Sequence, residues 1–166
     1  EDGIRDRDVT GVQTCALPIS SHELSQEYRE FERTSTVVAN AFIGPRVSRY
    51  IAGIDSHIRD SGFKGSFLVV QSTGGLYEAH QAQVQCVRML ESGPAAGVIG
   101  ARALCHEMGL GDAVAFDMGG TTAKAGVIYK GEVLTTGAAL IGGYNQALPV
   151  QIPMVDVDRK STRLNS

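Results

Sequence analysis

The clearest alternation of apolar and turn-forming positions in the chain lies between Ala113 and Thr136. An apolar run there ends at Asp117, which is typical of a buried strand that carries a carboxylate at its C-terminal tip. Gly119 and Gly120 follow, and their backbone freedom favours a tight turn. Two further apolar stretches follow, with a second turn between them, so the chain reverses its direction twice. This pattern predicts a three-stranded antiparallel meander, with strands at residues 113–117, 125–129 and 132–136.

Upstream of the meander, the sequence predicts a helical stretch and then a short strand. Residues 34–43 predict a helix, and Pro45 either kinks it or begins a second one. Beyond the proline, apolar residues keep to one face over residues 47–58. The helical segment is expected to end at Ser61–Gly62. Residues 66–71 then form a short apolar run that predicts a buried strand. Because ligands gather at strand ends in open α/β sheets, Ser72–Gly75 are either part of a ligand cleft or a plain turn.

A further helix is predicted within residues 91–109. Pro94 stands at a plausible first helical position and Gly109 just past the end, which is the usual asymmetry of a helix. Small residues are dense along this segment and would allow it to lie very close to another element, as a helix that crosses between two lobes must. These residues are Ala95, Ala96, Gly97, Gly100 and Ala101.

Candidate chemistry concentrates at the turn after Asp117. Gly119 and Gly120 allow a ligand to approach their backbone amides, and Thr121 and Thr122 add hydroxyl donors beside them. Such a turn can hold phosphoryl oxygens while the carboxylate holds Mg²⁺ or its waters. The same residues could equally form a plain hairpin, because Gly-Gly is common between paired strands.

Lys124 adds a positive charge shortly beyond this turn. Its ammonium group either faces the cleft and neutralises a phosphate, or points into solvent as an ordinary lysine of a strand edge does. Side chains alternate along a strand, so the choice between these alternatives depends on how the Gly-Gly turn resets the register after Asp117.

A small-residue helix followed by a strand, an Asp-x-Gly-Gly-Thr turn and a meander resembles the crossover into the second lobe of the actin-like ATPase superfamily. Within it, four separated blocks are similar to the hydantoinase A/5-oxoprolinase family, which also includes subunits of acetone and acetophenone carboxylases. The blocks are ERTSTVVANAFIGPRVSRYI at 32–51, QSTGGL at 71–76, SGPAAGVIGA at 92–101 and FDMGGTTAKAGVI at 116–128. The resemblance extends over roughly residues 21–157.

This resemblance implies an α/β fold, namely a partial actin-like ATPase core of the ribonuclease H-like type, with a connecting helix that leads into the antiparallel meander. It implies ATP and Mg²⁺ as cofactors, with Asp117 as catalytic residue and metal ligand. The residues that would bind the cofactor are Gly119, Gly120, Thr121, Thr122 and Lys124.

The parent protein is then expected to be an ATP-dependent hydrolase that opens a cyclic amide of the hydantoin or 5-oxoproline type. The alternatives are a beta-type subunit of an acetone or acetophenone carboxylase, and a small-molecule kinase of the same superfamily. The resemblance further implies a cyclic amide or ketone as substrate and a second, hydantoinase B-type subunit or domain as partner. This sequence is expected to supply one phosphate-binding loop of the enzyme and to be inactive alone.

Composition limits the classes of protein and partner. The 166 residues suffice for about one domain, and a hydrophobic content of 43% is enough for a core. A net charge of −3 with a pI near 5.8 gives no basic surface that would favour nucleic acid or an anionic membrane. The cysteines are widely spaced without a Cys-x-x-Cys pair, which predicts neither disulfides nor zinc and fits a reducing cytoplasm.

Both ends of the chain differ in character from the rest. Residues 1–20 show neither helical nor strand periodicity, and residues 158–166 behave alike. Both stretches look like translated sequencing-adapter sequence, so the expected native unit is a hydantoinase A/oxoprolinase domain fragment over residues 21–157. A natural disordered tail at each end is the alternative. In either case the two tails are expected to pack on nothing.

Overall fold

The computed structural model of the protein describes residues 21–26, 28–120, 122–141 and 148–161. It shows a mixed α/β fold with antiparallel sheets. The helices are α1 (Ser21–Leu24), α2 (Glu30–Asp60), α3 (Ala79–Val84), a 3-10 helix (Cys86–Met89) and α4 (Ser92–Glu107). The strands are β1 (Leu68–Val70), β2 (Leu76–Glu78), β3 (Ala113–Met118), β4 (Thr122–Tyr129), β5 (Glu132–Val133), β6 (Thr135–Thr136), β7 (Ala139–Ile141), β8 (Leu148–Val150), β9 (Met154–Val155) and β10 (Val157–Ser161).

Helix α2 continues through Pro45, so no second helix begins at this proline. The end of the helix follows from Gly62, whose φ of +87° suits glycine because it has no Cβ. The Gly62 amide donates to the carbonyl of Arg59 at 2.8 Å, and the Phe63 amide donates to that of Ile58 at 3.3 Å. These two bonds close the helix as a Schellman motif, at the place that the sequence predicts.

The buried face of α2 carries polar side chains that bind neighbouring backbone groups. Asn40 donates from Nδ2 to the carbonyl of Val84 at 2.8 Å and accepts the amide of Val87 at 2.9 Å. Thr36 accepts the amide of Gln151 at 2.8 Å. Both side chains are fully buried, so these bonds satisfy backbone groups that would be costly to leave unpaired. They hold α3, the 3-10 helix and the segment after β8 against α2.

Two hydrophobic clusters form the core. The first joins α1, the 3-10 helix, β8 and β9, and the second joins α4 to β4 and β9. The first consists of Leu24, Val87, Val150, Ile152 and Met154, and the second of Ala95, Val98, Ile128 and Val155. Adjacent residues of β9 belong to different clusters, so this short strand connects the two halves of the core.

Strands β1 and β2 form a two-stranded antiparallel hairpin, which corrects the expectation of a buried strand over residues 66–71. The side chains of β1 are half-buried or exposed, so β1 is not a buried core strand. Gly74 sets the turn with a φ of +84°, and its amide donates to the carbonyl of Gln71 at 2.9 Å. Ser72–Gly75 lie between the two strands of this hairpin, and their possible part in a ligand cleft stays a prediction.

Strand β4 is the centre of the main sheet and is paired along both edges. Antiparallel to it, β3 follows one edge over its whole length, from the pair Ala113–Ile128 to the pair Met118–Ala123. The other edge is shared by β5 and β10. The antiparallel strands of the predicted meander are confirmed, and so is the turn at the Gly-Gly pair between the first two.

The third strand of the meander is shorter than predicted, because the chain leaves the main sheet after Val133. Thr135–Thr136 instead pair with β9 in a separate two-stranded sheet. The edge of β4 beyond β5 is taken by β10, in which Asp158–Ser161 pair with β4.

The expectation that residues 158–166 pack on nothing is therefore wrong for Asp158–Ser161. An unpaired strand edge offers backbone donors and acceptors to any extended segment that reaches it. The adapter-like interpretation of the sequence there stays a prediction. Residues 1–20 and 162–166 lie outside the described part of the chain.

Helix α4 covers one face of the main sheet and packs tightly on it at Gly126. A Cβ atom placed on Gly126 would lie 2.3 Å from Cγ2 of Val98, so the Val98 side chain of the helix packs directly on the backbone of the strand there. The close approach expected of the small-residue helix is thus found, but the glycine that allows it belongs to the sheet. Gly97 and Gly100 of α4 meet open space within the described residues. The helix ends before a left-handed glycine, Gly109, as the sequence predicts.

Gly126→Ala should destabilise the chain, because the new methyl group would overlap Val98, whose branched side chain has little rotamer freedom in a helix. The expected loss in the free energy of unfolding is about 1 to 3 kcal/mol, the usual range for overpacking. Gly100→Ala is the matched control, since it adds the same methyl group in open space and should keep or slightly raise stability. Urea unfolding followed by circular dichroism measures both variants. Equal stability of Gly126→Ala and wild type would contradict the close contact.

Candidate functional site

Asp117 and Lys124 lie directly opposite one another in the pairing of β3 with β4. Opposite residues of antiparallel strands project to the same face of a sheet. That face is the one covered by α4, because the alternate β4 positions Gly126 and Ile128 are buried there. The register therefore places Lys124 on the same side as Asp117, facing α4 and away from the uncovered face of the sheet.

A pocket of about 180 Å³ opens beside these two residues, between α4 and the sheet. Its walls are mostly apolar, and its charged groups are the Asp117 carboxylate and the Lys124 ammonium. Helix α4 contributes Pro94, Gly97, Val98 and Ala101, and the strands contribute Ala115, Phe116, Gly126 and Val157. The two charged residues thus stand at a concave surface that a small ligand can enter.

The Lys124 ammonium is bound by a carboxylate at the start of the helix. Its Nζ lies 2.9 Å from Oε2 of Glu91, and the two side chains are only 23% and 29% exposed. Glu91 immediately precedes α4 and has a left-handed φ of +56°, which is uncommon for a residue with a side chain. The ion pair connects the first turn of α4 to the strand that follows the Gly-Gly turn.

In the turn between β3 and β4, the Gly119 amide is hydrogen-bonded within the turn, and the backbone at Gly120 is accessible. Gly119 donates its amide to the carbonyl of Thr122 at 3.0 Å, which closes the turn. A Cβ atom added to Gly120 would meet nothing within 4 Å, so a ligand can approach the backbone closely there. Thr122 is half-buried, and Thr121 lies outside the described residues.

The carboxylate of Asp117 is exposed and forms no ion pair with any residue of the described ranges. Among those residues there is also no group of His, Cys, Asp and Glu that could hold a metal ion by itself. Mg²⁺ does not require such a group, because it commonly binds through one or two carboxylates together with phosphate oxygens and waters. A carboxylate beside an open turn therefore fits a magnesium-bound phosphate.

The sequence alone does not single out Glu91. It is 33 positions from Lys124, and no periodicity links a residue that precedes a helix to a residue within a strand. A weak signal exists, because acidic residues are favoured where a helix begins. The pairing itself becomes visible only when α4 is packed on β4.

Comparisons with known proteins agree with the four sequence blocks. The sequence model described as Hydantoinase/oxoprolinase matches residues 33–161. An uncharacterized protein of Methanocaldococcus jannaschii is 38% identical over 84% of this chain, and the match covers 22% of that protein. The caprolactamase subunit alpha of Pseudomonas jessenii is 34% identical over 65% of this chain and 16% of its own length.

Two solved structures resemble this one. A nucleotide-free acetone carboxylase, described as carrying out ATP-dependent acetone carboxylation, matches with a TM-score of 0.74 at 25% identity, over 85% of this chain and 19% of that chain. An ATP-dependent caprolactamase from Pseudomonas jessenii matches with a TM-score of 0.67 at 26% identity, over 84% of this chain and 20% of that chain. In each of these matches the chain spans less than a quarter of the longer protein.

Thiol chemistry is a separate candidate, and it is disfavoured at Cys86. This residue is 1% exposed, and desolvation raises the pKa of its thiol. Burial, together with the nearby Cys86, raises the pKa of Tyr77 to about 12, and the Tyr77 hydroxyl donates to the carbonyl of Gln85. Because the thiolate is the reactive form of cysteine, a thiol that stays protonated at neutral pH is a poor nucleophile.

Cys86 should therefore react with iodoacetamide at least about tenfold more slowly than Cys105 in the folded chain near neutral pH. Cys105 serves as an internal control, because its side chain is only partly buried. Mass spectrometry of the two peptides gives both rates, and unfolding in urea should make them similar. Equal rates in the folded chain would show that the core around Cys86 opens readily.

Proposed function

The chain belongs to the hydantoinase/oxoprolinase family, and from this premise we propose that it is a segment of an ATP-dependent hydrolase that opens a cyclic amide of the hydantoin or 5-oxoproline type. The observation that carries the proposal is the exposed Asp117 carboxylate beside an open Gly-Gly turn, at the edge of the pocket under α4. The similarity to caprolactamase supports it, because the name of that relative refers to a cyclic amide.

The segment in this proposal is part of an actin-like ATPase core of the ribonuclease H-like type. Helix α4 is then the connecting helix, and β3, β4 and β5 begin the second lobe. Support comes from the order of these elements and from the likeness to two ATP-dependent enzymes. The native domain fragment is proposed to include residues 21–157.

The chemistry that Mg-ATP supplies when bound is a phosphoryl group that activates the carbonyl oxygen of the substrate. In this proposal Asp117 holds Mg²⁺ directly or through its waters. The backbone at Gly120 and the hydroxyls of Thr121 and Thr122 hold phosphoryl oxygens. These groups position the nucleotide, and the substrate would lie beside it.

Gly119 and Lys124 have supporting roles in this arrangement. The Gly119 amide keeps the turn closed, since it donates to the carbonyl of Thr122. The Lys124 ammonium is bound by Glu91, so the contacts with phosphate are assigned to the turn. Lys124 contributes instead through its position beside Asp117.

Other parts of the enzyme are proposed to cover the face of the main sheet that α4 leaves open. Large apolar side chains are exposed on that face, namely Val114, Phe116, Met118, Val127 and Tyr129. Contiguous exposed apolar side chains are typical of contact surfaces. The proposed partners are the remainder of a longer polypeptide and a hydantoinase B-type subunit or domain.

We place this enzyme in the cytoplasm, with a small molecule as substrate. The free thiols of Cys86 and Cys105 are compatible with a reducing compartment. In the described part of the chain, no helix combines the length and the apolar character needed to cross a bilayer.

A subunit of an acetone or acetophenone carboxylase is the second candidate. It is favoured by the structural comparison, in which the acetone carboxylase has the higher TM-score of the two enzymes. The two candidates share the use of ATP and differ in substrate. Measuring which compound stimulates ATP hydrolysis by the longer protein, a cyclic amide or a ketone with bicarbonate, distinguishes them.

The isolated chain should bind Mg-ATP weakly or not at all, because it contributes one side of the proposed nucleotide site. Each charge-assisted hydrogen bond that is absent lowers affinity by about 1.5 to 3 kcal/mol. Isothermal titration calorimetry measures the affinity directly. Micromolar binding by the isolated chain would contradict a half-site.

Asp117→Asn in the longer protein should lower ATP turnover about 100-fold or more, since the amide cannot replace the carboxylate toward Mg²⁺. Glu107→Gln is the matched control, because it removes an exposed carboxylate from the far end of α4. Turnover is measured by phosphate release. The proposed role of Asp117 fails if both variants keep wild-type turnover.

A further inference from the structure

Lys124 stands between two carboxylates in the described part of the chain. Across the sheet it lies opposite Asp117, and toward α4 its Nζ lies 2.9 Å from Oε2 of Glu91. Directly opposite residues of an antiparallel pair have Cβ atoms about 4.5 to 5.5 Å apart. The long stem of a lysine can therefore reach either acceptor, and here the ammonium is bound by Glu91.

Two features favour Glu91 over Asp117 as the partner. The pair of Glu91 and Lys124 is partly buried, whereas Asp117 is exposed. Opposite charges attract more strongly where water is partly excluded. In addition, Glu91 immediately precedes α4, where the helix dipole favours a negative charge.

We propose that Glu91 is a positioning residue that holds the Lys124 ammonium on the α4 side of the pocket and so keeps the Asp117 carboxylate open for Mg²⁺. The role of Asp117 toward the metal rests on the proposed function, whereas the competition of two carboxylates for one ammonium does not. Without Glu91, the ammonium turns to Asp117, occupies its carboxylate and repels the metal ion. Glu91 thus acts through Lys124 and does not touch the nucleotide.

The exchange of partners is tested first by thermal unfolding of the chain without nucleotide. In the wild-type background, Lys124→Met should be coupled to Glu91→Gln and additive with Asp117→Asn. In the Glu91→Gln background, Lys124→Met and Asp117→Asn should become coupled, because each removes the same newly formed ion pair. The expected coupling is a shift of about 2 to 4 °C in the unfolding midpoint.

The consequence for Mg²⁺ is tested in the longer protein, by titrating the metal ion in the presence of a non-hydrolysable ATP analogue. Glu91→Gln should weaken Mg²⁺ binding about tenfold or more, because a positive charge then lies on the carboxylate that binds the metal. Combining Glu91→Gln with Lys124→Met should recover most of this loss, since the competing cation is gone. A residue that merely stabilised the end of the helix would show no such rescue.

Glu132→Gln is the matched control for the second experiment. It also removes an ion pair between α4 and the sheet, the one that joins Arg102 to Glu132 at 3.3 Å. It frees no lysine beside Asp117, so Mg²⁺ binding should stay unchanged.

The inference is overturned if Lys124 and Asp117 remain uncoupled in the Glu91→Gln chain, or if Lys124→Met fails to rescue Mg²⁺ binding. A different pattern would count against the proposed function. If the coupling appears and the wild-type longer protein binds no Mg-ATP, the exchange of partners stands, and the assignment of Asp117 to the metal fails together with that function.

Discussion

The contact between Val98 and Gly126 determines where the other parts of the candidate site lie. Because Gly126 has no side chain, Val98 of α4 packs directly on the backbone of β4, and the start of the helix comes to lie beside the part of the strand nearest the turn. Glu91 then reaches Lys124 at 2.9 Å, and the pocket forms beside Asp117 under the same helix. A larger residue in place of Gly126 would lift the helix from the sheet and separate these groups. One glycine in a strand thus sets a distance on which both the ion pair and the pocket depend.

The ion pair also explains how a lysine can stand beside a candidate metal ligand without neutralising it. Glu91 and Lys124 compensate one another in a partly buried position, which leaves the negative charge of Asp117 available to a cation. Removal of Glu91 would leave the partly buried ammonium without this partner, a costly state that the turn of Lys124 toward Asp117 relieves. The effect of substituting either residue is therefore expected to depend on whether the other one is present.

Local signals were sufficient to predict several of the elements that local geometry determines, although the β1–β2 hairpin was not among them. Gly62 and Gly109 mark helix ends because each adopts a left-handed backbone, and the Gly-Gly pair after Asp117 permits the turn that joins β3 to β4. The errors in the main sheet lie where distant segments compete for the same edge or face. Which strand pairs with β4 beyond β5 depends on where the chain returns after residue 150, and no local pattern contains that information. The pairing of Glu91 with Lys124 is of the same kind, since it requires a helix to be docked on a strand.

The surfaces that this chain leaves open and the one-sided nucleotide site of the proposed function have a common physical explanation. Helix α4 covers one face of the main sheet, while Phe116 and Met118 on the other face are both 67% exposed. In the proposed site, a phosphate at the Gly-Gly turn would receive hydrogen bonds only from the donors of this turn. A closed cleft supplies several more charge-assisted hydrogen bonds, each of which contributes about 1.5 to 3 kcal/mol. Protein that packs on the exposed face and closes over the turn would bury the apolar side chains and add the lacking donors. The proposal of a segment within a longer ATP-dependent enzyme accounts for both features, because one docking event satisfies them together.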